Sequence, residues 1–230
     1  MDFSIVIPYR PGGDKHRERA FEFIKKHYER AHRDCELIVA DAPTDEWSKG
    51  AAVNAGVAKA SGEGLILADA DSWVAEPDVR TAMEMLRLPS DDNLLPFPQW
   101  CVPHGNVFRL NEDWTQKVYA GAAPRATEVV RYPYLGLPGG GINVLTRYAF
   151  DAVNGMDPRF LGWGGEDLCF GIALTTMKYY HWRGTAPLWH LYHPHPAPTL
   201  RGSPESETLV ALYKAAERRP GPMRELLFSR

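Results

Sequence analysis

Phe160-Leu161-Gly162-Trp163-Gly164-Gly165-Glu166-Asp167 sets a tryptophan and three glycines directly before two adjacent carboxylates. An apolar helical pattern, Leu168 to Tyr180, follows at once. Glycines let backbone approach a ligand closely and take φ/ψ values that other residues avoid. Carboxylates at a helix N-terminus are held in place and ionised by the macrodipole and the free N–H groups, so Asp167 is expected to stay acidic. An aromatic platform, a close-approach loop and a fixed carboxylate pair make a site for binding a sugar and accepting a proton from it.

A second carboxylate pair lies upstream. Leu65-Ile66-Leu67-Ala68-Asp69-Ala70-Asp71 reads as a buried strand ending in Asp-x-Asp. Strand alternation sends Asp69 and Asp71 to the same side, and ligands of open α/β sheets bind at the carboxyl ends of strands. Two carboxylates there, with imidazoles elsewhere, suit a divalent metal bridging phosphate oxygens. A lone Asp-x-Asp is more often a cap, a turn or a surface acid; its weight here comes from the other motifs.

Those motifs stand in a definite order: Ile5-Val6-Ile7-Pro8-Tyr9-Arg10, Lys49-Gly50-Ala51-Ala52-Val53-Asn54-Ala55-Gly56, Asp69-Ala70-Asp71, Gly139-Gly140-Gly141-Ile142-Asn143, Gly155-Met156-Asp157, Gly162-Trp163-Gly164-Gly165-Glu166-Asp167 and a histidine-rich strand. In this series the chain resembles inverting glycosyltransferases of the GT-A fold. It is most similar to the β-1,4-galactosyltransferase group and its bacterial and viral relatives, and it shares the Trp-Gly-Gly-Glu string with polypeptide GalNAc-transferases. The resemblance implies an α/β fold with a Rossmann-like, mostly parallel central sheet flanked by helices. It also implies transfer of a hexose, galactose or GalNAc, from a UDP-sugar to an acceptor hydroxyl on a glycan, a glycoprotein or a small molecule.

Residue by residue, the resemblance places Pro8, Tyr9 and Arg10 against the nucleotide, with Tyr9 and Arg10 on the uridine and a phosphate. Asp41 would meet the base or ribose, Asn54 the nucleotide loop, and Gly140 within Gly139–Gly141 the donor sugar. Asp71 is the expected metal ligand, and Asp69 a ribose partner or a support behind it. The metal-binding strand of the family ends in a histidine, and this chain offers His190, His193 and His195. His190 and His193 are the natural pair, although strict alternation would turn one of them to the other face. An imidazole ligand favours Mn2+, with Mg2+ the second choice. Asp167 is the expected general base, Glu166 would hold acceptor hydroxyls, and Trp163 would lie under a sugar ring. Two rivals stand beside this reading: a retaining GalNAc-transferase-like enzyme, and a nucleotide-sugar- or glycan-binding module without turnover. The chain departs from the family in its short length, in having no cysteine pair where the Golgi enzymes have disulfides, and in the His- and Pro-rich loop around 193–204.

At 230 residues the chain suits one large domain. Residues 1–200 are read as a catalytic domain, with a nucleotide-binding half over 1–90 and an acceptor-binding half over 91–200, followed by a helical tail over 201–230. A net charge of −3 without a basic stripe gives no footprint for nucleic acid or an anionic membrane. No apolar run approaches the roughly 20 residues that span a bilayer. With a strand expected from about Phe3, no signal peptide is expected. Cys35, Cys101 and Cys169 are odd in number and widely spaced, so free thiols in a reducing cytoplasm are expected.

The elements that must position these residues read β-α-β-α-β in the first half. Strands are expected at Ser4–Pro8, Cys35–Ala40 and Leu65–Ala70, and helices at His16–His32, Trp47–Ala60 and Glu76–Leu88. The second half is more broken. Strands are expected at Leu94–Val102 and Asn106–Leu110 around a Pro-His-Gly turn, at Val129–Tyr134 and at Ile142–Leu145. A short helix over Arg147–Val153 ends at Asn154-Gly155, a strand over Ala186–His193 carries the histidines, and Ser203-Pro204 opens a last helix faced by Leu209, Leu212 and Tyr213.

Overall fold

In the computed structural model the described residues are 1–87, 98–162, 164–178, 181–194 and 203–230. The first half alternates as its sequence pattern requires. Strand β1 (Phe3–Pro8) leads to α1 (Lys15–Ala31), β2 (Glu36–Ala40), α2 (Lys49–Lys59), β3 (Gly64–Ala68), the two-residue β4 (Ser72–Trp73) and α3 (Glu76–Arg87). Asp14 caps α1 by accepting from the His16 and Arg17 amides, and Ser48 caps α2 by accepting from that of Ala51. The second half contributes β5 (Trp100–Arg109), α4 (Glu112–Tyr119), β6 (Tyr134–Leu135), β7 (Ile142–Thr146), α5 (Arg147–Ala152), α6 (Glu166–Lys178), β8 (Trp182–His190), α7 (Pro204–Ala216) and α8 (Pro220–Phe228).

One sheet of order β2-β1-β3-β7-β5-β8-β4 joins both halves, with β6 paired to β5. Strands β2, β1 and β3 are parallel to one another, so Pro8, Ala40 and Ala68 end at one edge, and Asp41 and Asp69 follow directly. The expectation of a mostly parallel sheet needs correction, because β7 is antiparallel to both β3 and β5, and β4 is antiparallel to β8. Among the described residues of the second half, only β5 and β8 pair in parallel. The cause lies at Gly141, whose carbonyl accepts from the Asp69 amide: β7 enters the sheet at the site edge and runs back along β3.

The core lies on both sheet faces, and alternation along β1 assigns its side chains. Ile5 and Ile7 join Ala20, Ile24 and Tyr28 of α1 and Met83 of α3 on one face. Val6 joins Val53 and Val57 of α2 and the helices of the second half on the other. Helix α2 lies close to β1 because it is built from small residues; a Cβ on Gly56 would sit 2.4 Å from Val6 Cγ1. Residues 203–230 are two helices, not one, and Leu209, Tyr213, Met223 and Leu227 are buried in that second cluster. Leu212, expected to face inward, is exposed.

Pro103-His104-Gly105 does not make a turn. It lies inside the single ten-residue strand β5, where the β5–β8 register shifts on either side of His104. A proline without an N–H and a glycine without a side chain are absorbed as a bulge. The part of the expected Leu94–Val102 strand before residue 98 lies outside the described residues. Val129 makes only an isolated bridge to Leu110, and β6 holds two residues where a longer strand was expected. Asn154 and Gly155 take positive φ after α5, the expected helix stop. All three cysteines are free, with Cys101 and Cys169 buried.

Candidate active site

Two clusters of side chains form where β3 ends. The first gathers Asp71, His190 and His193, whose ligand atoms all lie within 4.8 Å of one another. Asp71 Oδ1 is 3.6 Å from His190 Nε2, and Asp71 Oδ2 is 3.1 Å from His193 Nε2. The alternation problem for the two histidines is resolved by where the strand stops. Strand β8 ends at His190, where Ser72 pairs with it in register, and the chain beyond is irregular, which brings His193 back to the same carboxylate.

The neighbours of the imidazoles fix their tautomers. His190 Nδ1–H donates to the Leu191 carbonyl at 2.7 Å, and His193 Nδ1–H donates to the Pro194 carbonyl at 2.9 Å. With Nδ1–H given away, a neutral His190 ring carries its lone pair on Nε2. Burial pushes the His190 pKa down to about 4 against the pull of Asp71, which keeps the ring neutral. Burial opposes ionisation of Asp71, yet His190, His193 and, further off, Arg17 hold its carboxyl below the usual range. His193 Nε2 and Asp71 Oδ2 lie at hydrogen-bond distance, 3.1 Å, and both are atoms that a divalent cation binds. One carboxylate and two imidazoles are a donor set that Mn2+ or another borderline divalent ion accepts. The residues present thus fit the implied metal.

The second cluster has its own cation. The Lys49 ammonium, at the start of α2, bridges Asp69 and Asp167; its Nζ is 2.7 Å from Asp167 Oδ1 and also contacts Asp69 Oδ1. Asp69 further accepts from the Gly141 amide at 3.1 Å. Glycine is required beside this cluster, since a Cβ on Gly140 would lie 2.9 Å from Asp167 Oδ2 and one on Gly139 would strike the Asp167 carbonyl. Gly140 is thus packed against Asp167. Asp167 opens α6 as expected, but its acidity is not that of an ordinary helix-terminal acid. Burial pushes its pKa up to about 7; Lys49 opposes this, and Glu166 and Asp69 add to it. The expectation of a low pKa is overturned because desolvation and two neighbouring carboxylates outweigh the helix terminus.

The remaining expected residues are placed as follows. Gly162, Gly164 and Gly165 all take positive φ, which accounts for the glycines around Trp163; Trp163 itself and His195 lie outside the described residues. Glu166 turns back to accept from the Gly164 amide. Pro8 ends β1, and Tyr9 stacks on Phe21 with ring centroids 3.7 Å apart. Arg10 pairs with Asp41 at 2.7 Å and donates to the carbonyls of Ala42, Thr44 and Asp45, so the two residues organise the loop after β2. The Asn54 amide binds both the N–H and the carbonyl of Met156, away from the two clusters.

Sequence reasoning gave no role to two residues of the site. Lys49 had a visible signal, a charged side chain leading into an alanine–glycine helix at the ligand edge. Arg109 had none. It is the register partner of His190 across β5 and β8, and its Nη1 donates to His190 Nε2 at 3.0 Å while its Nε donates to the Tyr134 hydroxyl at 3.0 Å.

Comparison with known proteins agrees with this geometry. A family described as the N-terminal domain of galactosyltransferase matches residues 125–193. Comparison with curated proteins gives no match. Among solved structures, the catalytic domain of Drosophila β1,4-galactosyltransferase 7, in complex with xylobiose, has a TM-score of 0.54 at 16% identity. That match covers 90% of this chain and 78% of that one. Glucosyl-3-phosphoglycerate synthase from Mycobacterium tuberculosis, in complex with Mn2+, UDP and glucosyl-3-phosphoglycerate, has a TM-score of 0.56 at 15% identity, covering 94% and 79%. GalNAc-T7 with UDP, GalNAc and Mn2+ has a TM-score of 0.52 at 16% identity, covering 93% of this chain and 49% of that one. The strand order, the two carboxylate clusters at one sheet edge and these likenesses lead to one conclusion: this chain has the GT-A fold of the glycosyltransferases.

Proposed function

We propose that this protein is a metal-dependent inverting glycosyltransferase. It would transfer a hexose, galactose or GalNAc, from a UDP-sugar to a hydroxyl of a glycan, a glycoprotein or a small molecule. The observation that carries the proposal is the pairing at one sheet edge of a set of side chains that could hold a metal ion, Asp71–His190–His193, with a half-buried carboxylate, Asp167, whose pKa is pushed up to about 7. A general base works best with a pKa near the working pH. The galactosyltransferase match, which spans both the glycine run and the histidines, adds support. So do the Mn2+ and UDP bound by the structurally similar proteins.

Asp71, His190 and His193 would hold Mn2+, which neutralises diphosphate charge and stabilises the leaving group. Pro8, Tyr9 and Asp41, at the ends of β1 and β2, would receive the nucleoside, with Arg10 holding the loop that carries Asp41. Asp69, fixed by Gly141 and Lys49, would face the ribose or sugar, with Gly140 leaving room for it. Asp167 would accept the proton of the acceptor hydroxyl as that oxygen attacks the anomeric carbon from the face opposite the UDP. Glu166 and Trp163 would hold the acceptor. For Asp167 to serve as base, Lys49 must shift its hold toward Asp69. Free cysteines suit the reducing cytoplasm expected for the chain. No helix among the described residues is long and apolar enough to cross a membrane.

The Lys49–Asp167 ion pair is also what favours a second reading, a retaining GalNAc-transferase-like enzyme in which Asp167 is structural. UDP release with and without Mn2+, across UDP-sugar donors, tests the activity. The anomeric coupling in the NMR spectrum of the product tests the stereochemistry. A β-linked product from a UDP-α-sugar supports Asp167 as base, an α-linked one assigns the chain to the retaining reading, and full turnover in EDTA rejects the metal.

A further inference from the structure

We infer that Arg109 couples metal binding to diphosphate binding: its guanidinium caps His190 at the rim of the metal cluster and is drawn off by the phosphates of the incoming nucleotide. The inference rests on the proposed metal and UDP site and adds a residue to it.

The geometry makes Arg109 and a metal ion compete. With Nδ1–H given to the Leu191 carbonyl, His190 has one lone pair left, on Nε2, and an Arg109 N–H points at it from 3.0 Å. That lone pair can accept from the guanidinium or bind a metal, not both. The position of Arg109 is imposed by the sheet, because Arg109 and His190 are register partners on parallel strands. Tyr134 tethers Nε at 3.0 Å, and the Arg131 guanidinium lies 4.0 Å over the Tyr134 ring.

Charge turns the competition into coupling. Among the described residues Arg109 forms no salt bridge with a carboxylate; its side-chain partners are the Tyr134 hydroxyl and the neutral His190 ring, which leave its charge unneutralised beside the cluster. A divalent ion arriving alone meets like charge at its own ligand. A diphosphate reverses the sign of that interaction, because an arginine fork binds phosphate oxygens in two-point geometry. The metal is then released from competition and shares the anion with Arg109. By linkage, whatever factor UDP contributes to Mn2+ affinity, Mn2+ contributes to UDP affinity.

Mn2+ titrations followed by electron paramagnetic resonance, with and without UDP, test this on the full chain. Wild-type protein should bind Mn2+ weakly alone and far more tightly with UDP. Arg109→Gln should bind Mn2+ alone about tenfold more tightly and lose about tenfold of the UDP enhancement, within the usual range of such couplings. Arg109→Lys, which keeps the charge, should retain the weak binding of Mn2+ alone. Mn2+ binding by Arg109→Gln with wild-type affinity and wild-type UDP enhancement would overturn the inference while leaving the metal site intact. Absence of Mn2+ binding by the wild type even with UDP would overturn both.

Discussion

The two clusters at the carboxyl end of β3 use similar side chains and reach opposite electrostatic states. Around Asp71 the groups are a carboxylate and two imidazoles whose ligand atoms converge, the set a divalent cation binds, with the Arg109 guanidinium resting on His190. Around Asp167 the groups are carboxylates already bridged by the Lys49 ammonium, and the cation comes from the chain itself. Asp69 and Asp71 are two residues apart, yet each belongs to a different cluster. An Asp-x-Asp is therefore not one metal site by virtue of its spelling. What each aspartate binds depends on which strand or helix end faces it: β8 and its irregular continuation for Asp71, α2 and α6 for Asp69.

The comparison breaks most sharply at the metal cluster. Asp71→Ala should remove both donor affinity and the charge stabilisation a metal supplies, a loss of about 10⁴ in kcat/KM. Steady-state kinetics with saturating Mn2+ would check it, and near-normal turnover would mean that the cluster is not the metal site. At the base cluster, Asp167→Asn keeps the shape and removes the proton acceptor. It should lower kcat by about 10²–10⁴ while leaving Mn2+·UDP binding by calorimetry unchanged. A variant that lost nucleotide binding instead would merge the two clusters into one.

Lys49 should have a smaller effect with a characteristic sign. Its ammonium opposes the burial that pushes Asp167 up to about 7, so Lys49→Met should raise that pKa further. The base works as the carboxylate, so the rate rises as pH rises through its pKa. The acid limb of the kcat profile should begin near 7 in the wild type and move to higher pH in the variant. A limb that stayed in place, or moved to lower pH, would show that Lys49 does not act on the base. At neutral pH the cost in rate is about tenfold for each unit of displacement.

The smallest effect on turnover is expected at the buried Asp157. Asp157 lies 2.7 Å from Arg159, accepts from the Tyr213 hydroxyl at 3.0 Å and sits 3.5 Å from Arg230, tying α7 and the last residue to the loop before α6. Burial opposes its ionisation, but the arginines hold its carboxyl below the usual range. Its contribution to stability is therefore present above the ordinary carboxylate pKa and fades as pH falls through the lowered one. Asp157→Ala should cost about 3 kcal/mol by leaving buried charge unpaired, seen in chemical denaturation at pH 7. The folded fraction should keep its kcat. Lost activity in fully folded protein would give Asp157 a role beyond the scaffold.

Much of this is legible in the sequence, and the reasons are local. Alternating β and α patterns gave the first three strands and their helices, because apolar periodicity records which face is buried. Glycines at 162, 164 and 165 flagged a backbone with positive φ, and Ser203-Pro204 flagged the start of α7. Asp71, His190 and His193 stand out in the sequence as candidate metal ligands because Asp and His are the residue types that bind such ions, and the fold brings the three together. Less was legible where one short segment admits two conformations. Pro103-His104-Gly105 has turn composition but is carried through β5 as a bulge, and the helix after Arg219 left no separate signal in the Pro- and Gly-containing stretch that begins it.

The sequence by itself determined the parallel core of the first half, the residue types at the site and their order along the chain. Tertiary structure alone decided the antiparallel return of β7, the meeting of His193 with Asp71, the Lys49 bridge between Asp69 and Asp167, and the facing of Arg109 and His190. The physical reason is range. Helix periods, caps and glycine φ values are set within a few residues. An ion pair across 118 positions or a strand register across 81 exists only once the sheet has closed. Acidity divides in the same way: the helix start of Asp167 and the neighbouring Glu166 are written in the chain, but the desolvation that raises its pKa to about 7, the Asp69 charge that adds to it and the Lys49 charge that opposes it come from packing.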